Sequence, residues 1–163
     1  MPVKIKGERS GYPDYTREIW RSAQPTLKGQ YRLWGWVEID VPAGTEMTWI
    51  IWNAPEVPAG APGFNAYEEN CVWIVRDCII TSDSSILLEG RFGVCWWDGT
   101  DVWITGEVGA FGYGKIDFKL SDGFKVEHSQ DLTKPYGLYV SVYNNGTSTI
   151  KAKIYINGLV YRE

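Results

Sequence analysis

Between Tyr31 and Val41 the chain alternates with period two, and both sets of alternate positions carry large side chains. Successive side chains on a strand point to opposite faces. Tyr31, Leu33, Val37, Ile39 and Val41 therefore line one face, a core stripe, while Arg32, Trp34, Trp36, Glu38 and Asp40 line the other. The second face is charged at its ends and holds two tryptophans in its middle. A strand on the outside of a two-sheet sandwich has no need of those tryptophans. Something is expected to cover them: the chain's own N-terminal segment, a neighbouring subunit, or a ligand such as a sugar ring.

The same alternation continues downstream. Pro42-Ala43-Gly44-Thr45 reads as a turn, since Pro presets φ and Gly closes it. Glu46–Trp52 follows as a strand. Asn53–Asn65 contains three prolines, which forbid ladder pairing, and reads as a long semi-rigid loop. Cys71–Ile80 is β-branched and apolar on both faces, so it is expected to be central or covered. Ser82–Ser85 turns it into Ile86–Glu89. Arg91–Trp97 and Thr100–Thr105 flank Asp98-Gly99, a strong hairpin signal. Gly106–Gly114 is glycine-rich. Lys115–Leu120 and Phe124–His128 suggest a second hairpin about Ser121-Asp122-Gly123, and Leu138–Asn144 and Thr147–Ile156 a third about Asn145-Gly146. In the third, Leu138, Val140 and Val142 are assigned to the core, opposite Ile150, Ala152, Ile154 and Ile156. Leu159–Tyr161 is a last short strand.

The first thirty residues are polar and turn-rich; Pro13-Asp14 suggests a capped short helix through Arg21. We read residues 1–30 as an N-terminal arm and 31–163 as one domain. Many short strands with turn signals between them predict an all-β antiparallel sandwich. The strand count and the long Pro-rich crossover favour a single jelly roll with extra strands.

Composition narrows the function. The 163 residues are enough for a core without staples, and 44% apolar with 22% charged is ordinary for a globular domain. Aromatics are abundant: nine Trp, ten Tyr and five Phe, with every Trp between Trp20 and Trp103. The net charge of −4 and the lack of a basic run argue against direct nucleic-acid binding. No run approaches a membrane span, and no apolar stretch after Met1 resembles a signal sequence. The expectation is a protein made and used without secretion. Cys71, Cys78 and Cys95 are an odd set with no Cys-x-x-Cys; on a regular strand Cys71 and Cys78 point opposite ways. They read as buried free thiols rather than metal ligands.

Candidate chemistry is sparse. Gly109–Lys115 matches the front of a phosphate-binding loop, but Ile116 supplies no hydroxyl and a strand, not a helix, follows. Asp98 and Asp101 offer two carboxylates on a tight turn, where calcium wants six to eight oxygens. Asn145-Gly146-Thr147 has the form of a glycosylation acceptor but reads as a turn. His128, Ser129 and Asp131 invite a triad, yet adjacent strand residues face opposite ways. The expectation is no catalysis, no metal and no cofactor.

Aromatics remain. Trp34 and Trp36 point the same way about 7 Å apart along a strand, a spacing that suits stacked sugar rings or a subunit interface. Trp97 joins them as a residue near a strand tip, and Tyr139 and Tyr143 as outer-face residues of their strand. These five are the candidate interface or ligand platform. The function expected is a structural assembly subunit, a virion protein (capsid or capsid-decorating) associating with copies of itself and with other virion proteins. The alternatives are a carbohydrate-binding module whose Trp platform meets polysaccharide, and an extracellular filament subunit that donates its arm.

Overall fold

A computed structural model describes residues 3–4, 10–11, 15–22, 29–54, 56–65, 71–127 and 135–162, and every regular element among them is a strand. In chain order these are β1 (Val3–Lys4), β2 (Ser10–Gly11), β3 (Tyr15–Ser22), β4 (Gly29–Val41), β5 (Glu46–Trp52) and β6 (Phe64–Asn65), then β7 (Cys71–Ser82), β8 (Leu87–Trp97), β9 (Val102–Tyr113), β10 (Lys115–Val126), β11 (Tyr136–Asn144) and β12 (Ile150–Arg162). Eight long strands make two antiparallel four-stranded layers. One runs β9-β8-β11-β5 and the other β10-β7-β12-β4. Only β8 and β9 are sequence neighbours within a layer; every other connection between these long strands crosses from one layer to the other. That strand order is a jelly roll.

Alternation explains the layering. From β4, Val37, Ile39 and Val41 enter the space between the sheets, and Trp49 and Ile51 of β5 enter from the other side. Cys78 and Ile80, Leu88 and Phe92, Leu138, Val140 and Val142, and Ile150, Ala152, Ile154 and Ile156 complete this core. Phe92 meets Phe118 and Phe124, with ring centroids 5.9 and 5.2 Å away. Interlocking of this kind gives interiors crystal-like density.

Of the three turn assignments, two need correction. Asp98-Gly99 does join an in-plane hairpin, with Gly99 at φ 102°. Asn145-Gly146 does not: β11 and β12 lie in opposite sheets, so this turn carries the chain across the sandwich. Leu138, Val140 and Val142 share the core with Ile150, Ala152, Ile154 and Ile156 from the opposite sheet, not along one ladder. Ser121-Asp122-Gly123 is not a hairpin either. Lys115–Val126 is one strand along β7, with an irregularity between Lys119 and Phe124 where Gly123 takes φ 76°. The local turn chemistry was right in both places, but a bulge and a sheet-crossing corner use the same residues as a hairpin.

Long strands also absorb segments read separately. Glycine-rich 106–113 continues β9, and Leu159–Tyr161 continues β12. On β7 the register slips between Asp77 and Val75, so Trp73 and Val75 share the core face with Cys78 and Ile80. The Cys71 side chain, expected to face opposite Cys78, lies outside the described residues.

The N-terminal segment contributes strands, not the expected helix at Pro13-Asp14. β3 runs antiparallel to β4 from Tyr15 to Ser22. β1 pairs with Ile104 and Trp103 of β9, and β2 with Glu46 and Met47 of β5. These pieces extend sheet edges in plane rather than crossing the outer faces, and they satisfy backbone groups that a bare edge leaves open.

Candidate interaction surface

The four candidate aromatics with described side chains separate onto two outer faces. On the β4 sheet, Trp36 sits opposite Tyr155 and Trp34 opposite Asn157. Tyr155 in turn neighbours Ile79, so register sets a row Ile79–Tyr155–Trp36 across three strands. All three are half-buried. The Lys153 ammonium lies 5.3 Å from the centre of the Trp36 ring, a cation–π contact that engages one ring face. Around the row stand Glu38, with Lys151 at 4.0 Å, and Asp77, which accepts a hydrogen bond from Asn157 at 3.1 Å. An apolar strip with a polar rim is the make-up of a contact surface. The Trp34 side chain lies outside the described residues.

Trp97 and Tyr139 belong to the other outer face, and they are not available as a platform. Tyr139 does point away from the main core, as its alternation with Leu138 and Val140 requires, but it is 0% exposed, and Trp97 is 6% exposed. The Pro-rich loop folds back over them. Ala54, Val57 and Ala61 from that loop close over Ile50, Trp52, Cys95, Trp97, Ile104 and Tyr139, making a second core outside the sandwich. The loop is pinned at both ends. Trp52 Nε1 donates to the Pro62 carbonyl at 2.7 Å, and Asn53 Nδ2 donates to the Val126 carbonyl at 3.1 Å. Gly60 and Gly63 take φ of 81° and 96°, and a Cβ on Gly63 would come within 2.4 Å of the Ile50 carbonyl. Trp52 and Tyr139 on outward positions beside an Ala/Val/Pro loop were the signal for this layer.

Beside the second core lies a polar network that alternation alone does not reveal. The Tyr139 hydroxyl donates to Glu107, the Arg91 guanidinium pairs with Glu46, and Glu107 lies 3.8 Å from Arg91. Thr48 and Ser141 share a buried hydrogen bond of 2.8 Å. Burial pushes the Tyr139 phenol up from its ordinary value, and the bond to the Glu107 carboxylate pushes it further. For Arg91, burial acts downward, but the hydrogen bond and charge of Glu46 outweigh it and hold the cation firmly protonated. The network ties β5, β8, β9 and β11 together. Tyr143, half-buried, sits at its border opposite Glu46 and Glu89.

The remaining sequence candidates fall as follows. Cys78 and Cys95 are free thiols buried in different cores, and burial raises both pKa values. Asp98 Oδ1 accepts from the Thr100 and Asp101 amides at 2.7 and 2.6 Å, and its Oδ2 from Trp103 Nε1 at 2.5 Å, so its carboxylate is spent on the turn. Gly109–Lys115 runs from one strand into the next through Gly114, at φ 71°, with no helix to cradle a phosphate. His128, Ser129 and Asp131 lie outside the described residues. Among the described residues no three His, Cys, Asp or Glu are grouped to hold a metal ion, and no helix is long and apolar enough to cross a membrane. An open cleft of about 330 Å³ lies where β8–β11 meet, with Thr105, Lys125, Glu127 and Tyr136 among its lining.

The chain matches no protein-family profile, and no curated protein resembles it in sequence. Among solved structures it is similar to a chain in the structure of infectious bursal disease virus, Gx strain, at 9% identity and a TM-score of 0.25. The alignment covers 91% of this chain and spans 33% of that one.

Proposed function

We propose that this chain is a structural assembly subunit, a virion jelly roll that packs against other copies through the outer face of its β4 sheet. The observation that carries the proposal is the row Ile79–Tyr155–Trp36, half-buried in the single chain and rimmed by Glu38, Lys151, Lys153 and Asp77. Trp and Tyr are the residues that anchor protein interfaces. The step from subunit to virion rests on analogy at the level of fold: the jelly roll is the architecture of many capsid proteins. No catalytic role is assigned to any residue.

Polysaccharide binding is the competing reading, and the Trp36–Lys153 contact bears on it. Stacking a sugar needs a free ring face turned to solvent, and here an ammonium engages one face at 5.3 Å. A protein partner carrying a carboxylate would complement that lysine. The test is the double variant Trp34→Ser with Trp36→Ser, with particle size and polysaccharide pull-down measured separately. Loss of assembly, with no polysaccharide retained by the parent, is the expected result. Normal particles from the variant with polysaccharide binding abolished would hand the site to the carbohydrate reading.

A further inference from the structure

The two sheets end in long strands with opposite edge chemistry. β10 ends the β4 sheet and is defended: it is irregular between Lys119 and Phe124, and its exposed positions include Lys115, Asp117, Lys119, Asp122 and Lys125. Charge and irregular pairing are how natural sheets block edge-to-edge contact. β9 ends the other sheet and lacks both defences beyond Glu107. β1 covers it at Trp103 and Ile104; among the described residues no strand pairs the outer edge from Glu107 to Tyr113. This stretch holds no Lys, Arg or Pro. Phe111 and Tyr113 on it are 70% and 75% exposed, the two most exposed of the large hydrophobic residues described.

Gly109 supplies an independent pointer. Its φ is not in the left-handed region, and a Cβ there would meet the Gly90 carbonyl at an ordinary 3.6 Å and Arg91 Cγ at 4.0 Å. The fold of the single chain therefore does not require glycine, although glycine inside a strand weakens it relative to alanine. A strand glycine that neither strain nor crowding demands often marks a site where a ligand or another backbone approaches closely.

We infer that the Glu107–Tyr113 edge pairs antiparallel with the same edge of a second copy about a two-fold axis, with Ala110 opposite Ala110. This register uses the whole exposed stretch. It sets Phe111 of each copy opposite Gly109 of the other, so the ring covers a position with no side chain, and it sets Tyr113 opposite Glu107, a phenol beside a carboxylate. Centring on Gly109 would place Phe111 against the Glu107 carboxylate. Centring on Phe111 would shorten the ladder to positions 109–113, because Gly114 turns the chain away. The match is self-complementary, as a two-fold interface demands. It deepens the assembly proposal and rests on the chain self-associating, but it uses a different surface from the Trp36 row.

Sedimentation of the full chain, comparing the parent with Gly109→Glu and with Phe111→Ser, tests it. Gly109→Glu places a carboxylate where the second copy's Phe111 must lie, within reach of Arg91 in the single chain. The expected result is association weakened at least tenfold in both variants, with melting of the dilute monomer unchanged or raised for Gly109→Glu. Amide exchange of the parent should show protection of residues 107–113 rising with protein concentration. Parent-like association of Gly109→Glu, with no concentration-dependent protection of that stretch, overturns the edge pairing and leaves the Trp36 surface to carry assembly. A parent that stays monomeric at all concentrations overturns both proposals together.

Discussion

Gly93 and Gly109 lie on neighbouring strands of one sheet and face the same way, yet the fold treats them differently. A Cβ on Gly93 would come within 2.1 Å of the Gly106 carbonyl and 2.8 Å of Glu107 Cα, backbone atoms that cannot swing aside. Gly93→Ala is expected to cost about 3 kcal/mol by overpacking, and Gly109→Ala to leave the monomer as stable or slightly more so; urea unfolding of the two variants checks the contrast. Buried acids supply a second expectation at this scale. Cys78 and Cys95 are raised from 9.0 and Tyr139 from 10.0, in each case chiefly by burial that penalises the charged form. Above those ordinary values the unfolded chain gives up protons that the folded chain keeps. The stabilisation is thus complete below about pH 9 and declines as pH rises, first through the thiols and then the phenol, by up to about 1.4 kcal/mol per pH unit per group. Urea midpoints measured from pH 8 to 11 should fall accordingly. Replacing both cysteines by alanine should flatten the decline between pH 9 and 10 and leave, above it, a shallower loss carried by the phenol.

Among the elements, the corner from β11 to β12 depends on one side chain. Buried Asn144 donates to the Val41 and Ser148 carbonyls, both at 2.9 Å, and accepts from the Gly146 amide at 2.7 Å. It holds the end of β11 to the end of β4 in the opposite sheet at the point where the chain changes layers. Net hydrogen bonds are worth about 1 kcal/mol each, and stranding a buried partner costs more. Asn144→Ala should therefore lower stability by about 2–4 kcal/mol, seen as a drop in melting temperature, whereas Asn145→Ala at the exposed neighbouring position should change little. The N-terminal strands add an expectation about edges. Removing residues 1–22 takes β1, β2 and β3 from the edges of β9, β5 and β4. The truncated chain should keep its β-type circular dichroism, because the eight long strands retain their main core, but its assembly should weaken and its uncovered edges should make it more prone to aggregate.

Taken whole, the molecule has two cores of unequal protection. The main one lies between the sheets; the second, among the described residues, is roofed by the loop from Asn53 to Gly63. Opening that loop exposes Cys95, whereas Cys78 requires the sheets to part. Local openings cost less than global unfolding, so under native conditions a thiol reagent should label Cys95 faster than Cys78. Equal rates that track global unfolding would show the two layers to be one cooperative unit.

Alternation told which residues face together, because the two-residue period is a property of the single strand. Leu138, Val140 and Val142 went to the core on that evidence, and the all-β class, the sandwich and the Asp98-Gly99 hairpin were legible in the same way. Alternation equally put Tyr139 on the outer face, where it stands. What lies against a face is a non-local matter. Only the tertiary structure decided that a loop more than seventy residues before Tyr139, and more than thirty before Trp97, covers them both, that Asn145-Gly146 crosses between sheets, and that Arg91 meets Glu46. The physical reason is that a turn's φ preferences do not say whether the next strand pairs beside the last or packs across from it. That choice belongs to the whole set of strands competing to bury both of their apolar faces.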